Sequence, residues 1–404
     1  MNSPTNIAIV GCGFVADYYL QTLAHHPQLT LLGIADRNRD RTQHFKQFHN
    51  VPVYDSLDSL LADERVDIVL NLTNPSSHFE VSKACLEAGK HVYSEKPLAL
   101  EMEQATSLVT LANQRNLRLS SAPCSLLGET AQTIWKALRD NCIGTVRVVY
   151  AEMDDGLVHR MPYRQWYSNS GIPWPYKDEF EVGCTLEHAG YYVTWLAAFF
   201  GPAVSVSAFA SCLIPDKHTD RPLANNAPDF SVACIQFESG VVARLTCSIV
   251  APHDHSLRII GDEGILSIED CWYYQSPVHI KRRFNIRRKM LLAPWNETYP
   301  LVRRQGEQYG YKGAQQMDFC RGVAEMADAI AERRPHRLSA HFSLHINEIV
   351  LAIHNAFETG TTHRLSTRFA PIAPMPWADG SGSAEPKAPH AIRLMEAKLN
   401  NLRA

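Results

Sequence analysis

Over the first 120 or so residues, short apolar runs alternate with stretches in which apolar residues recur every three to four positions. Residues 6–10, 29–35, 67–72, 91–94 and 117–121 read as strands, and the stretch after Gly13 together with 76–88 and 101–116 as helices. Strands alternating with helices imply a parallel sheet with ligands at the carboxyl ends of its strands. Beyond Ala122 the pattern changes. A helix is predicted at 129–140, a strand at 146–153 and a helix over 182–196, followed by strand-like runs from 204 to 280 with turn signals at Ser239-Gly240 and Asp262-Glu263-Gly264. Such a meander suits an antiparallel sheet. Helices at 314–333 and 342–359 are expected to return onto the first unit, and the Pro- and Gly-rich stretch 371–389 reads as an arm before a helical tail at 391–402. The expected division is 1–123, 124–370 and 371–404.

Within the 182–196 helix, Thr185, His188, Tyr192, Trp195 and Phe199 form a stripe beside an apolar one, placing a histidine and a tyrosine four residues apart on one face. These are either polar groups satisfied at the edge of a core or a pair aimed at one small volume.

At 404 residues the chain exceeds one ordinary core. Its formal charge of -3 and balanced composition exclude a field that would recruit nucleic acid or an anionic membrane. The basic run KRRFNIRRK at 281–289 reads as a solvated edge or a subunit contact. Ten cysteines without a C-x-x-C pair indicate a reducing compartment. With no signal-like leader and no run of membrane-spanning length, a cytoplasmic protein is expected.

The first strand runs into Gly11-Cys12-Gly13-Phe14-Val15-Ala16, a G-x-G-x-x-A turn opening a helix, and the second strand ends at Asp36. Gly11 permits the tight turn, Gly13 lets a pyrophosphate approach the backbone, and Asp36 stands where a carboxylate receives ribose hydroxyls. Asp36 favours NAD, whereas Arg37 and Arg39 could hold the 2′-phosphate of NADP if the aspartate turned away. Two polar clusters follow later strands: Thr73-Asn74-Pro75-Ser76-Ser77-His78 and Ser94-Glu95-Lys96-Pro97. Lys96 is a candidate for polarising a substrate; a loop salt bridge of Glu95 is the alternative reading.

The segments IAIVGCGFVA, ADRNRD, NLTNPSSH and above all YSEKPLAL, with RGVAEMADAIAERRPHRLSA and ETGTTHRLSTRF further on, resemble the Gfo/Idh/MocA oxidoreductase family over residues 6 to about 370. The resemblance implies an α/β protein: an N-terminal Rossmann doubly wound parallel sheet and a C-terminal α/β domain with an open, mostly antiparallel sheet, which often mediates assembly into a homo-oligomer, a dimer or tetramer. It implies NAD or NADP bound by Gly11, Gly13, Phe14, Val15, Asp36, Arg37, Thr73, Asn74, Pro75, His78, Glu95 and Lys96, and no metal. Aligned on that family's D-x-G-x-H pattern, His188 takes the aspartate position and Tyr192 the histidine position. The expectation is that Tyr192 exchanges a proton with substrate, Lys96 lowers its phenol pKa and His188 relays the proton. Arg160, Tyr163, Arg164, Trp166 and Trp174 supply faces and donors suited to a sugar or cyclitol. The implied activity is hydride transfer to or from a hydroxyl or carbonyl of a small carbohydrate-like substrate, with no nucleic-acid or membrane partner. A glycosidase or lyase that recycles its nicotinamide, and a non-catalytic dinucleotide binder, stand as alternatives.

Overall fold

The computed structural model describes residues 4–303, 316–379 and 386–387. Five parallel strands form the first sheet: β1 (Thr5–Val10), β2 (Leu29–Ala35), β3 (Ile68–Asn71), β4 (His91–Ser94) and β5 (Leu119–Ser121), in the order β2-β1-β3-β4-β5. Between them run α1 (Phe14–Leu23), α2 (Arg39–His49), α3 (Leu57–Leu61), α4 (His78–Glu87) and α5 (Met102–Gln114). Alternate residues of β1 serve different cores. Ile7 and Ile9 belong to one apolar cluster, Ala8 and Val10 to another, so both faces of the sheet are covered as a doubly wound fold requires.

After α6 (Glu129–Arg139) a second sheet begins with β6 (Val146–Asp154). The helices α7 (Tyr176–Val182) and α8 (Cys184–Phe200) intervene before β7 (Ala203–Ser211), β8 (Phe230–Phe237), β9 (Val242–Ser248), β10 (Leu257–Gly261), β11 (Gly264–Ile268), β12 (Val278–Ile286), β13 (Lys289–Leu292) and β14 (Glu297–Tyr299). Together with β15 (His363–Arg364) these strands run β13-β12-β11-β10-β6-β9-β8-β7-β15, with β14 on β12. Every pairing is antiparallel except β6 with β9. Helices α9 (Arg321–Ala331) and α10 (Ala340–Thr359) tie the sheets together. Ser343 Oγ accepts from the Ser121 amide at 3.0 Å, on the end of β5, while Ala340 and Leu344 pack into the core of the first sheet.

Three departures from the sequence pattern bear on the site. The predicted helix over 182–196 is broken at Gly183, whose φ of +90° ends α7 and starts α8; a Cβ there would lie 2.8 Å from the Ala227 Cβ and 2.9 Å from the Pro228 carbonyl oxygen. The helix predicted from 314 begins at Arg321, because Asp318 is buried beneath it, where it accepts from Arg321 Nε at 3.2 Å and bonds His26 Nε2 at 2.9 Å; residues 314 and 315 lie outside the described residues, as does the predicted tail 391–402. Finally, α8 is wedged between the two sheets. Gly190 faces Pro123 on one side and Thr185 Oγ1 bonds Ser231 Oγ on the other at 2.8 Å, so nearly all of α8 is buried.

Candidate active site

A cavity of about 750 Å³ lies at the carboxyl ends of β1 to β4 and is closed on its far side by α7 and α8. At one end the glycine turn forms a cradle. Gly11 has φ +103°, and a Cβ there would fall 2.5 Å from the Leu72 carbonyl oxygen, so only glycine lets β1 turn this close to β3. A Cβ on Gly13 would meet no protein atom within 4 Å, and Gly13, Phe14 and Val15 line the cavity. No side chain caps α1, which leaves its amino end and dipole to an anion. These features fit a dinucleotide pyrophosphate.

Asp36 borders the cavity with Arg37, Arg39 and Arg41. Its carboxylate accepts from the Cys12 amide at 2.8 Å and the Asn38 amide at 2.7 Å, which fixes it in place. Thr73, Asn74 and Pro75 form the next part of the wall. The buried His78 lies between the two loops, with Nδ1 2.7 Å from the Pro97 carbonyl oxygen and Nε2 2.9 Å from that of Thr73, and its N–H can donate to either of them. Burial lowers its pKa. Glu95 accepts from the Tyr19 hydroxyl at 2.8 Å and from the Lys96 amide at 3.0 Å, hydrogen bonds rather than the loop salt bridge of the alternative reading, and Lys96 faces the cavity, where its ion pair is with Glu187.

The other end of the cavity is built from side chains. Lys96 Nζ donates to Glu187 Oε2, and Glu179 and Tyr191 line the same space. Two identical carboxyls behave oppositely here. Burial and the negative Glu187 raise the pKa of Glu179 well above the usual range, whereas Glu187, although burial works against it, is held below that range by the Lys96 charge. Glu179 is thus the member of the pair that holds a proton more readily, and Glu187 the one that Lys96 favours in its ionised form. Lys96 is desolvated, yet Glu187 raises its pKa and keeps it an ammonium. Burial raises the Tyr191 phenol; Lys96 opposes that rise without cancelling it.

The expected role of Tyr192 does not survive this geometry. Its ring is fully buried, its hydroxyl donates to the His255 carbonyl at 2.5 Å, and burial raises its pKa well above 10.0 with no contribution from Lys96. It sits on the sheet side of α8, and Tyr191 is the neighbour that reaches the cavity. His188 also stands off the cavity wall: its Nε2 lies 2.8 Å from Asp155 Oδ2, and its ring faces Trp272 at 5.9 Å. Asp155 accepts as well from His255 Nε2 at 2.8 Å, and although burial opposes it, the neighbouring carboxylates of Asp155 and Asp270 push His255 up to about 9. Glu187 and Tyr191 have the same four-residue spacing as His188 and Tyr192, one position earlier. It is this pair that lines the cavity.

Of the residues expected to meet substrate, Trp174 lines the cavity. Tyr163 is buried, with its hydroxyl on the His218 carbonyl at 3.2 Å, and Arg164 is exposed on that same carbonyl at 2.5 Å. Arg160 is exposed, and Trp166 packs on Trp174 at 5.0 Å. Apart from Trp174, none of them lines the cavity. The strap that carries them crosses to the first sheet's helices. Asp17 on α1 accepts from the Ser168 hydroxyl and from the Ser170 hydroxyl at 2.7 Å, and His44 on α2 bonds the Ser170 carbonyl at 2.5 Å. Ile172, Pro173, Trp174 and Pro175 then roof the space between Asp36 and Glu179. Nothing in the local sequence pairs Asp17 with serines some 150 residues away.

Among the described residues no helix is long and apolar enough to cross a membrane, and all ten cysteines are free thiols. The profile of the GFO/IDH/MocA oxidoreductase family with its NAD-binding Rossmann fold matches residues 5–122, and the profile of the GFO/IDH/MocA C-terminal domain matches residues 131–267. The trans-1,2-dihydrobenzene-1,2-diol dehydrogenase of Mus musculus is 25% identical over 267 residues, covering 65% of this chain and 74% of its own. The WlbA dehydrogenase from Bordetella pertussis, solved in complex with NADH and UDP-GlcNAcA, superposes with a TM-score of 0.68 at 18% identity over 90% of this chain and 99% of its own. The aldose-aldose oxidoreductase from Caulobacter crescentus, complexed with glycerol, gives 0.67 at 18% identity over 90% and 100%. With a glycine cradle, a lysine after β4 and both profiles on one chain, this protein belongs to the GFO/IDH/MocA family of NAD(P)-dependent oxidoreductases.

Proposed function

We propose that the protein moves a hydride between a nicotinamide and a hydroxyl-bearing or carbonyl carbon of a sugar, cyclitol or sugar conjugate, with Tyr191 exchanging the proton at the reacting oxygen. The observation that carries this reading is the meeting of Lys96, Glu187 and Tyr191 at the end of the cavity opposite the glycine turn. The dinucleotide, when bound, supplies or receives the hydride. Lys96 polarises the substrate oxygen, and Glu187 holds that ammonium in place. Glu179, carrying its proton, spares the pocket a second negative charge that would pull Lys96 aside. With Tyr191 and Lys96 both protonated at rest, the site is set to deliver a proton to a carbonyl oxygen; in the reverse direction Tyr191 takes it back. Trp174 offers an apolar face for a ring.

The substrate class is supported by relatives whose names or bound ligands carry neighbouring hydroxyls: a trans-1,2-diol, UDP-GlcNAcA and glycerol. We assign residues 1–123 to the cofactor and 124–370 to substrate and assembly. The fixed Asp36 favours NAD over NADP by repelling a 2′-phosphate. Exposed Phe284, Ile286, Met290 and Leu291 on β12 and β13 support assembly of identical chains through the second sheet. The free thiols agree with a cytoplasmic setting.

The test is a panel of aldoses, cyclitols, nucleotide sugars and vicinal diols incubated with oxidised and reduced NAD and NADP, following nicotinamide absorbance. Turnover with at least one polyol, lost in Lys96→Met, is expected. Binding of NADH without turnover on any of them defeats the substrate class, and release of a sugar with no net absorbance change favours a recycled cofactor.

A further inference from the structure

We propose that Asp155, His253 and His255 form a binding site for one divalent transition-metal ion of zinc's type, outside the cofactor cavity and independent of the reading above. The backbone brings them together. Asp154, at the end of β6, and Asp254 exchange amide-to-carbonyl hydrogen bonds at 3.0 and 2.8 Å, which places Asp155 beside the extended His253-Asp254-His255 segment. Side chains two apart on an extended chain share a face, and the two imidazole centroids are 4.2 Å apart. One ligand atom from each of the three residues lies within 4.8 Å of the other two. Around zinc, with bonds of about 2.0 to 2.2 Å to nitrogen and carboxylate oxygen, ligand atoms stand roughly 3.3 Å apart, so small side-chain rotations suffice. His255 Nε2 and Asp155 Oδ1 are already 2.8 Å apart.

The groups behind the ligands carry the argument further. Metal-bound histidines almost always present their second ring nitrogen to a carboxylate or carbonyl, which fixes ring and tautomer. His255 Nδ1 is buried without a hydrogen bond and faces Asp270 Oδ1 at 3.6 Å, while that same oxygen is anchored by the Trp272 amide at 2.7 Å. Bound through Nε2, His255 would thus keep a carboxylate at its back. The second oxygen of Asp155 stays on His188 at 2.8 Å. His255 is fully buried, Asp155 is half-buried and His253 is exposed, so the ion would be open to solvent on the His253 side with a coordination position free for water or a substrate oxygen. Two imidazoles and a single carboxylate suit zinc, cobalt or nickel; magnesium and calcium require oxygen donors in greater number. The Trp272 ring lies 4.3 Å from His255 and 5.5 Å from Tyr191, so the ion would sit one indole away from the proposed proton donor.

The test uses the full-length protein after dialysis against a chelator. Zinc uptake is measured by calorimetry and elemental analysis, and cobalt is used as a spectroscopic probe. One equivalent of zinc is expected, with visible cobalt bands typical of low coordination number. His253→Ala, at an exposed position that spares the core, should weaken zinc by at least about tenfold and abolish those bands, while His341→Ala, an exposed histidine on α10, leaves both unchanged. A wild-type protein that takes up no ion, a His253→Ala variant that binds like the wild type, or a cobalt spectrum dominated by thiolate charge transfer overturns the proposal. None of these readouts depends on turnover.

Discussion

The two ends of the cavity are made of different material. The nucleotide end is largely backbone: a glycine at φ +103°, an uncapped helix terminus and an aspartate tied down by two amides. The chemical end is side chain only, drawn from the loop after β4, from α7 and from α8. In the first, shape is the function, and any added atom obstructs. In the second, position alone decides little, since Glu179 and Glu187 are the same residue type in one pocket and shift in opposite directions because only one of them holds Lys96.

Adding atoms to the backbone end should have the largest effect. Gly13→Val projects a side chain into space that no protein atom occupies and should abolish dinucleotide binding while the melting temperature stays near wild type, as read by NADH fluorescence titration and thermal unfolding. Retained affinity would mean the nucleotide does not cross this turn. At the chemical end, Tyr191→Phe should keep NADH affinity and lose about 10²- to 10⁴-fold in kcat. Tyr192→Phe should leave kcat nearly intact and instead cost about 1 to 3 kcal/mol of stability, because it leaves the His255 carbonyl without its donor. An inactive Tyr192→Phe beside an active Tyr191→Phe would restore the phase expected from sequence.

A third measurement probes α10 and the segment leading into it, which hold the two halves together. Burial lowers His336 and His345 to about 4, His336 on the Leu119 carbonyl of β5 and His345 on the Ala203 amide of β7. Both are neutral when folded and take up protons near pH 6.5 when unfolded, so the unfolded chain binds more protons between about pH 6.5 and 4. Stability therefore rises with pH across that window and falls on acidification, by roughly 2 kcal/mol per histidine between pH 7 and 5. Urea denaturation at the two pH values checks this, and a flat profile would contradict it. The smallest effect is expected at the strap. Asp17→Ala removes the acceptor of Ser168 and Ser170 and should speed NADH dissociation about tenfold in stopped flow with kcat little changed, tenfold being the worth of roughly one net hydrogen bond.

The same contrast explains how much could be read in advance. The parallel sheet, its glycine turn, Asp36 and Lys96 were legible because each depends on neighbours close in sequence. The strand boundaries of this first sheet agreed within two residues for the same reason. The phase of α8 was not legible, because a helix wedged between two sheets is buried nearly all round, and Glu187/Tyr191 and His188/Tyr192 offer the same spacing on adjoining faces. Glu179 falls before the helix predicted from 182, on the short α7 that the sequence pattern did not anticipate. Tyr163 and Arg164 looked like substrate contacts by residue type, yet their partners are each other and the 217–218 backbone, and Arg160 is exposed away from the cavity wall.

The strap also constrains the order of events in catalysis. The segment from Ser168 to Pro175 is latched to α1 and α2 at one end, continues directly into α7 at the other, and roofs the nucleotide in between. Nucleotide passage and access to Glu179 are therefore governed by a single piece of chain. If a substrate rests on Trp174 as proposed, it holds that piece down, and cofactor is then expected to enter first and leave last. Steady-state kinetics should accordingly follow a compulsory order: oxidised and reduced nucleotide compete directly with each other, and excess of the second substrate slows turnover by trapping the nucleotide beneath it.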